Sequence, residues 1–174
     1  MEVSEDLVTS DFAEFYEREY ASVYRAAYAL AGQREVALDA TQEAFKRAFV
    51  RWRRLAREGW AAGWVMTTAL NLCRKEARRA AGSGGETVPP VVEPASADRL
   101  DLIAALRSLP TRQAEAALLF YWGDLPVPVV ATLMHVAEGT VKAHLFHARQ
   151  SLRAALDAPL DDEIHPMTGR LEGR

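Results

Sequence analysis

Residues 129–149 read VVATLMHVAEGTVKAHLFHAR, and their pattern indicates how the C-terminal part of the chain folds. Apolar residues recur at three- and four-residue steps on both sides of a short turn at His135 and Val136. The pattern predicts a short helix over about 128–134 and a longer one over about 138–156. Such a pair is a helix-turn-helix, which leaves the first turns of its second helix free to enter a DNA major groove.

The side chains of this stretch divide into a buried set and a polar set. Those expected between the helices are Val130, Leu133, Val136, Val141 and Leu145. Those expected to face DNA are Glu138, Thr140, Lys142, His144, His147 and Arg149. Short hydroxyl side chains and helix N-terminal amides suit phosphate contact. Many helical hairpins that never touch DNA share this layout, so a purely structural hairpin is the alternative.

His144 and His147 are three residues apart, a spacing that would let both bind one metal ion. Neither a carboxylate nor a cysteine joins them nearby, and Cys73 is the only cysteine of the chain. We therefore interpret both histidines as polar residues of a groove-facing helix, and we predict no metal site and no cofactor.

The segments that precede the helix-turn-helix in the sequence also have helical periodicity. Three helices are predicted over about 11–31, 34–57 and 64–80, and two more over about 99–109 and 111–121. Asp11 and Thr111 are the expected N-caps, and Gly32 and Gly123 the expected stops. The break before the third helix lies between Gly59 and Gly63. Because no alternating strand pattern occurs, the fold class is all-α.

Residues 81–98 separate two small helical domains. Glycine and proline are frequent in this segment and large apolar side chains are rare, which is typical of a flexible linker. The predicted N-terminal domain covers residues 11–80, and the C-terminal domain with the helix-turn-helix covers residues 99–158. A flexible tail is predicted over residues 159–174.

The charges of the chain are unevenly distributed. The 174 residues carry a net charge of −3, yet residues 46–79 contain ten basic residues against two acidic ones, a net charge of +8. A strongly basic segment is typical of nucleic-acid binding. The alternative is an ordinary solvated helix face, since arginine is common there.

Composition also argues against several classes of protein. The chain has no apolar run near the ~18 residues that a membrane span needs, and its acidic N-terminus does not resemble a secretory signal. We therefore expect a cytoplasmic protein with no membrane partner. We also expect no enzyme, because the sequence lacks a carboxylate pair, a metal cluster or an activated nucleophile.

Three separate stretches, in this order along the chain, resemble the extracytoplasmic-function (ECF) group of the sigma-70 family. Residues 39–45, DATQEAF, resemble the polymerase-binding helix of that group. Trp64, Ala69, Asn71, Arg78 and Arg79 match the spacing of its segment for the downstream promoter element. Residues 138–142, followed by HAR at 147–149 and LR at 152–153, resemble its signature for the upstream element. The stretch 60–79 is most similar to the compact actinobacterial, SigE-type subgroup.

The resemblance implies an alternative sigma factor that binds core RNA polymerase and directs promoter recognition and strand opening. Its polymerase contacts would be Asp39, Gln42 and Glu43. Its contacts to promoter DNA at the downstream element and the melted region would be Arg53, Arg54, Arg57, Trp60, Trp64, Asn71, Arg74, Lys75, Arg78 and Arg79. Trp60 would stack on a flipped base. For Trp64 two interpretations stay equally open, stacking on DNA and packing in the core. An anti-sigma factor as a further partner is a family-level inference.

Several positions depart from the family pattern. Lys75 and Leu38 stand where the family often has acidic residues, and Pro126, Pro128 and Val129 replace usual serine and glutamate positions. His135 occupies a turn position that is usually glycine. These departures leave the fold intact but predict weaker contact with the upstream element. A stand-alone helix-turn-helix regulator that does not engage polymerase is the alternative function.

Overall fold

A computed structural model of the chain describes residues 2–82 and 97–156, with side chains described over 10–80 and 101–156. Throughout these two ranges the regular structure is helical, which confirms the predicted all-α class. Most of the predicted linker (83–96) and the predicted tail (159–174) lie outside the described residues. The helices are α1 Glu2–Ala31, α2 Arg34–Val50, α3 Trp52–Leu55, α4 Ala61–Gly82, α5 Ala97–Ser108, α6 Thr111–Ala117, α7 Val127–Met134 and α8 Glu138–Leu156. A π-helical segment, Leu118–Trp122, continues α6.

The N-terminal helices α1, α2 and α4 pack against one another. One side of α2 is buried and built largely of small residues, which let the neighbouring helices approach closely. Its buried residues are Ala37, Ala40, Thr41, Ala44, Phe45 and Ala48. The Thr41 hydroxyl donates a 2.7 Å hydrogen bond to the Ala37 carbonyl, so this buried polar group is satisfied.

Two predictions in this half were wrong. Asp11 does not cap a helix, because α1 begins at Glu2; instead its carboxylate accepts a 3.2 Å hydrogen bond from Trp52 Nε1. The predicted helix over 34–57 is interrupted at Arg51, where φ is −107° and ψ is 8° and the amide bonds to the Ala48 carbonyl. The interruption accompanies the burial of Trp52, whose ring lies 4.6 Å from that of Phe15.

Gly32 and Gly63 have different roles in this half of the chain. Gly32 ends α1 with a φ of +68°, as predicted. Gly63 is not part of a break, because α4 already begins at Ala61. A Cβ at Gly63 would lie 2.7 Å from Leu125 Cδ1, just before α7, and 3.1 Å from Leu133 Cδ1 on α7, so Gly63 allows close packing against the C-terminal half.

The C-terminal helices form the predicted helix-turn-helix, with α8 packed on α5, α6 and α7. Of the five residues expected between its helices, four are buried and Val136 is partly buried. Gly123 ends the π-helical segment as predicted, whereas Thr111 is the first residue of α6 and Pro110 occupies the N-cap position. His135 ends α7 in the left-handed region, with φ +55° and ψ 47°.

The two halves of the chain are packed together. Helix α1 contacts α5 and α6, and α4 contacts α6 and α7. Trp122 Nε1, at the end of the π-helical segment, donates a 3.1 Å hydrogen bond to Ser22 Oγ on α1. The helix-turn-helix therefore lies against α4, which carries most of the predicted contacts to the downstream element and the melted region.

Candidate nucleic-acid and polymerase interface

Helix α2 carries the three predicted polymerase contacts on its outer side. Asp39 and Gln42 are exposed, whereas Glu43 is half-buried by ion pairs within the helix. Glu43 accepts a 2.8 Å hydrogen bond from Arg47 Nε and lies 3.9 Å from Lys46 Nζ. Asp39 and Gln42 thus present polar groups outward, while Glu43 also orients an arginine one turn further along.

A concave surface between α2 and α4 combines basic and aromatic groups, and we call it the basic groove. Its lining residues are Arg47, Arg51, Trp64, Thr68, Asn71, Leu72 and Lys75. The Arg51 guanidinium carbon lies 5.9 Å from the centre of the Trp64 ring. Cations and aromatic faces together suit the backbone and the unstacked bases of single-stranded DNA.

Trp64 lies at the boundary between the core and the basic groove. It is half-buried and packs against the core, yet part of its ring lines the basic groove. The Thr68 hydroxyl donates to the Trp64 carbonyl at 2.8 Å, which satisfies this groove hydroxyl within α4.

The remaining predicted melting residues lie outside the basic groove. Arg53, Arg54 and Arg57 line a separate open depression together with Glu58. Arg54 Nε lies 2.9 Å from Glu58 Oε1. Trp60 is half-buried just before α4, where its carbonyl accepts a 3.0 Å hydrogen bond from the Trp64 amide.

The later part of α4 presents its basic residues on two faces. Lys75 lines the basic groove, whereas Arg74 faces the C-terminal half. Arg74 Nη2 donates a 2.7 Å hydrogen bond to Asn71 Oδ1, and Arg78 Nε donates to the Arg74 carbonyl at 3.4 Å. Arg79 and Glu76 are exposed and 3.5 Å apart. The predicted DNA-binding set is therefore divided between an open groove and a covered face.

Arg74 is held by Glu115 of α6. Its Nη1 donates to Glu115 Oε2 at 3.0 Å and lies 2.9 Å from Oε1, and Arg112 Nη1 donates to Oε2 at 3.1 Å. The Glu115 side chain is only 4% exposed. Its burial raises the pKa of the carboxyl group, and the two guanidinium groups oppose that shift.

Helix α8 presents most of its predicted DNA contacts to the outside. Glu138, Thr140, Lys142 and His147 are exposed, and His144 and Arg149 are half-buried. Within the described ranges, histidine, cysteine and carboxylate side chains do not come together in any group of three or more that would hold a metal ion. None of the described helices combines the length and the apolarity needed to cross a bilayer.

Sequence reasoning missed several residues of these surfaces. Arg47 and Arg51 were counted in the basic segment but not assigned to a site. Phe146 is half exposed on α8, 5.5 Å ring to ring from His147, and was overlooked among its polar neighbours. The ion pairing of Glu115 could have been predicted from the sequence. Glu115 is the single acid in the apolar run AEAALLF at 114–120, and a buried acid requires a cation.

Two family models match the chain. Sigma-70 region 2 matches residues 15–82, which include the basic groove and the described part of α4 that carries Arg74. Sigma-70 region 4 matches residues 99–152, which include Glu115 and the helix-turn-helix. The two regions define a class of transcription initiation protein.

Relatives extend this similarity over most of the chain. The ECF RNA polymerase sigma factor SigL of Mycobacterium tuberculosis is 30% identical over 156 residues, covering 81% of this chain and 86% of that protein. SigE of Mycolicibacterium smegmatis is 33% identical over 144 residues, covering 75% of this chain and 56% of that protein. The chain thus spans little more than half the length of that SigE.

A solved structure shares the fold. The sigma factor RpoE of Bartonella quintana, in complex with the anti-sigma factor NepR, has a TM-score of 0.74 and 23% identity to this chain. The similarity covers 86% of this chain and 99% of that one.

The chain therefore belongs to the ECF sigma factors of the sigma-70 family. It is an alternative RNA polymerase sigma factor that directs promoter recognition, and not an enzyme. The prediction made from the three sequence motifs is confirmed, and a stand-alone regulator is not favoured.

Proposed function

We propose that three surfaces of the chain have separate roles in transcription initiation, one in binding core polymerase and two in binding promoter DNA. The exposed side of α2, with Asp39, Gln42 and Glu43, binds core polymerase. The basic groove and the neighbouring arginine depression bind the downstream element and the melted strand. The outer face of α8 binds the upstream element. In this scheme residues 11–80 and 99–158 act as separate domains joined by the segment 81–98.

The basic groove is the observation that carries the proposal. Arg47, Arg51 and Lys75 supply positive charge along a concave surface, and Trp64 supplies part of an aromatic face beside them. Backbone phosphates follow such cations, while an unpaired base gains ~1–3 kcal/mol from an aromatic stack. A surface with both features favours separated strands over duplex DNA.

Trp60 is proposed to capture a base that leaves the duplex. It lies between the arginine depression and the start of α4, and it is half-buried. Extrusion of a base costs a few kcal/mol, which one aromatic stack offsets in large part. Arg53, Arg54 and Arg57 would hold the adjacent phosphates.

The upstream contact is proposed for Glu138, Thr140, Lys142, His144, His147 and Arg149. Lys142 and His147 are exposed on the side of α8 that also carries Phe146. An apolar ring on a groove-facing helix suits contact with a thymine methyl group. The chain is proposed to act in the cytoplasm, where polymerase and promoters are found.

An anti-sigma factor is a further proposed partner. The support is a fold neighbour, the Bartonella quintana sigma factor, whose structure contains the anti-sigma factor NepR. Co-purification of the tagged chain from cells that are not transcribing its promoters tests this part of the proposal.

The groove is tested with Arg51→Ala and Lys75→Ala in complexes with core polymerase. Arg51→Ala should lower promoter opening about tenfold, because the cation beside Trp64 is lost. Lys75→Ala should weaken binding on all promoters and reduce the salt slope by about one. Permanganate reactivity of unpaired thymines and titrations at several salt concentrations measure the two effects.

Arg18→Ala is the matched control, because Arg18 is exposed on α1 and pairs with Glu19 at 2.8 Å, outside the groove. Opening by Arg51→Ala at the rate of the Arg18→Ala control would contradict the assignment of the groove.

Trp60→Ala should slow promoter opening while closed complexes still form, since stacking helps only after a base has left the duplex.

A further inference from the structure

A cavity lies between the end of α1, the second half of α4 and the end of α5. Its volume is about 340 Å³, near the lower end of the roughly 300–1,000 Å³ that small-molecule sites span. It shares no lining residue with the basic groove or with the arginine depression. The cavity is therefore separate from both proposed DNA surfaces and large enough for a small organic molecule.

The inner wall of the cavity is apolar. Leu30 of α1 and Val36 of α2 contribute partly buried side chains to it. Cys73, Leu106 and Leu109 also line it and are each less than 10% exposed. Such a wall favours a ligand with a hydrocarbon part, because binding removes that part from water.

Four charged side chains also line the cavity, and two of them are already paired. Arg74 Nη1 lies 2.9 Å from Glu115 Oε1, which balances its charge. Glu76 Oε2 lies 3.5 Å from Arg79 Nη1. The other two charged residues are both arginines, so the charge left to attract a ligand is positive.

Those two residues, Arg78 and Arg107, are exposed cations at the cavity. Neither forms an ion pair with a carboxylate within the two described ranges of the chain. The Arg107 guanidinium lies directly against Gly32, where any Cβ would collide with it. The glycine thus gives Arg107 its place at the cavity. Guanidinium groups bind carboxylates and phosphates through two parallel hydrogen bonds.

We propose that this cavity, which we call the anion pocket, binds a small organic anion with a hydrocarbon part. The hydrocarbon part lies on the apolar wall, and a carboxylate or phosphate head group pairs with Arg107 and Arg78. Each half of the pocket recognises one half of the ligand. An inorganic anion or a neutral hydrocarbon therefore satisfies only part of the site.

The first experiment is isothermal titration calorimetry of the free, full-length chain. Octanoate and octyl phosphate compare the two head groups on the same hydrocarbon chain, while acetate carries a head group alone and 1-octanol a hydrocarbon chain alone. The tighter-binding octyl anion should bind at least about tenfold more tightly than acetate or 1-octanol. Equal affinity for that anion and for 1-octanol would overturn the role of the arginines.

Variants place the binding in the anion pocket. Arg107→Gln should weaken binding of the octyl anion about tenfold, because a charge-assisted pair is lost. Arg18→Gln is the matched control, since it removes the same charge from an exposed residue of α1 that does not line the cavity. Ala77→Phe should abolish binding, because Ala77 is an exposed lining residue and the larger ring fills the space. Far-UV circular dichroism checks that each variant is folded. Parent affinity in folded Arg107→Gln and Ala77→Phe would overturn the pocket.

The second experiment asks whether the ligand competes with DNA, and it rests on the proposed promoter role of Arg78. Binding of the free chain to a fluorescein-labelled, 20-nucleotide single-stranded DNA is measured with and without a saturating octyl anion. The anion should weaken DNA binding severalfold in the parent chain and leave Ala77→Phe unchanged. If calorimetry shows the pocket occupied while DNA binding is unchanged, the shared use of Arg78 is overturned and the pocket stands. Failure of the calorimetry overturns the pocket itself and leaves the proposed promoter contacts in place.

Discussion

His135 is held in a backbone conformation that side chains disfavour. It ends α7 with a φ of +55°, and its amide bonds back to the Thr132 carbonyl at 3.3 Å. The left-handed region costs a residue with a Cβ about 1–2 kcal/mol, and glycine avoids that cost. The turn of the helix-turn-helix therefore carries strain at one residue.

His135→Gly should stabilise the protein by about 1 kcal/mol, because relief of strain exceeds the added entropy of the unfolded chain. Chemical denaturation followed by circular dichroism measures the change. Asp124→Gly, at the other described non-glycine residue with positive φ, should shift in the same direction. Destabilisation by His135→Gly would show that the imidazole has contacts worth more than the strain.

Cys73 is a packing residue whose thiol is protected by burial. The thiol is 2% exposed and lies 3.8 Å from the Ala27 carbonyl oxygen. Burial raises the pKa of the Cys73 thiol to about 12. Because the thiolate is the reactive form, the folded protein should react slowly at this position.

Ellman's reagent should therefore modify Cys73 only as fast as the core opens, and at once in denaturant. Ala13→Cys supplies an exposed thiol for comparison. Rapid modification of native Cys73 would contradict its burial.

The raised pKa of the Cys73 thiol also makes stability depend on pH. At high pH the folded chain retains a thiol proton that the unfolded chain loses, so the free energy of unfolding should fall as pH rises above about 9.

Helix α2 has a packing role on its inner side and a proposed binding role on its outer side. Its inner side packs through alanines, and its outer side presents Asp39 and Gln42. Glu43 differs from them because it holds Arg47, which lines the basic groove. Substitutions at Glu43 therefore affect two surfaces, and Asp39 is the cleaner probe of polymerase binding.

Asp39→Lys should weaken binding to core polymerase at least about tenfold, because like charges at an interface cost several kcal/mol. Helicity should remain unchanged, since Asp39 is exposed. Glu14→Lys on the exposed side of α1 makes the same charge change away from α2. Surface plasmon resonance with immobilised core polymerase measures both. Equal affinities for the two variants would remove Asp39 from the interface.

The sequence predicted the helices well where periodicity was long and poorly where tertiary packing set their ends. The end of α1 at Gly32 and the helix-turn-helix over Val127–Met134 and Glu138–Leu156 follow from local signals. The interruption at Arg51 has neither glycine nor proline, so nothing local marks it. It depends on the burial of Trp52 beneath α1, which is a long-range contact.

At the scale of the whole molecule, the sequence predicted two helical units but not their contact. Glu115 and Arg74 are 41 residues apart, and Trp122 and Ser22 are 100 apart. No periodic pattern records such pairs, because each residue fits its own helix without the partner. The basic residues of α4 were therefore predicted as one DNA-binding set, although the fold covers one face and exposes the other.

As a sigma factor, the chain gives core polymerase its choice of promoters. The most direct measurement is transcription in vitro with core polymerase on fragmented genomic DNA, with and without the chain, followed by mapping of RNA start sites. Start sites should appear that are present only with the chain and that share an upstream and a downstream sequence element. Specific DNA binding by the chain alone, with no new start sites in the presence of core polymerase, would contradict it.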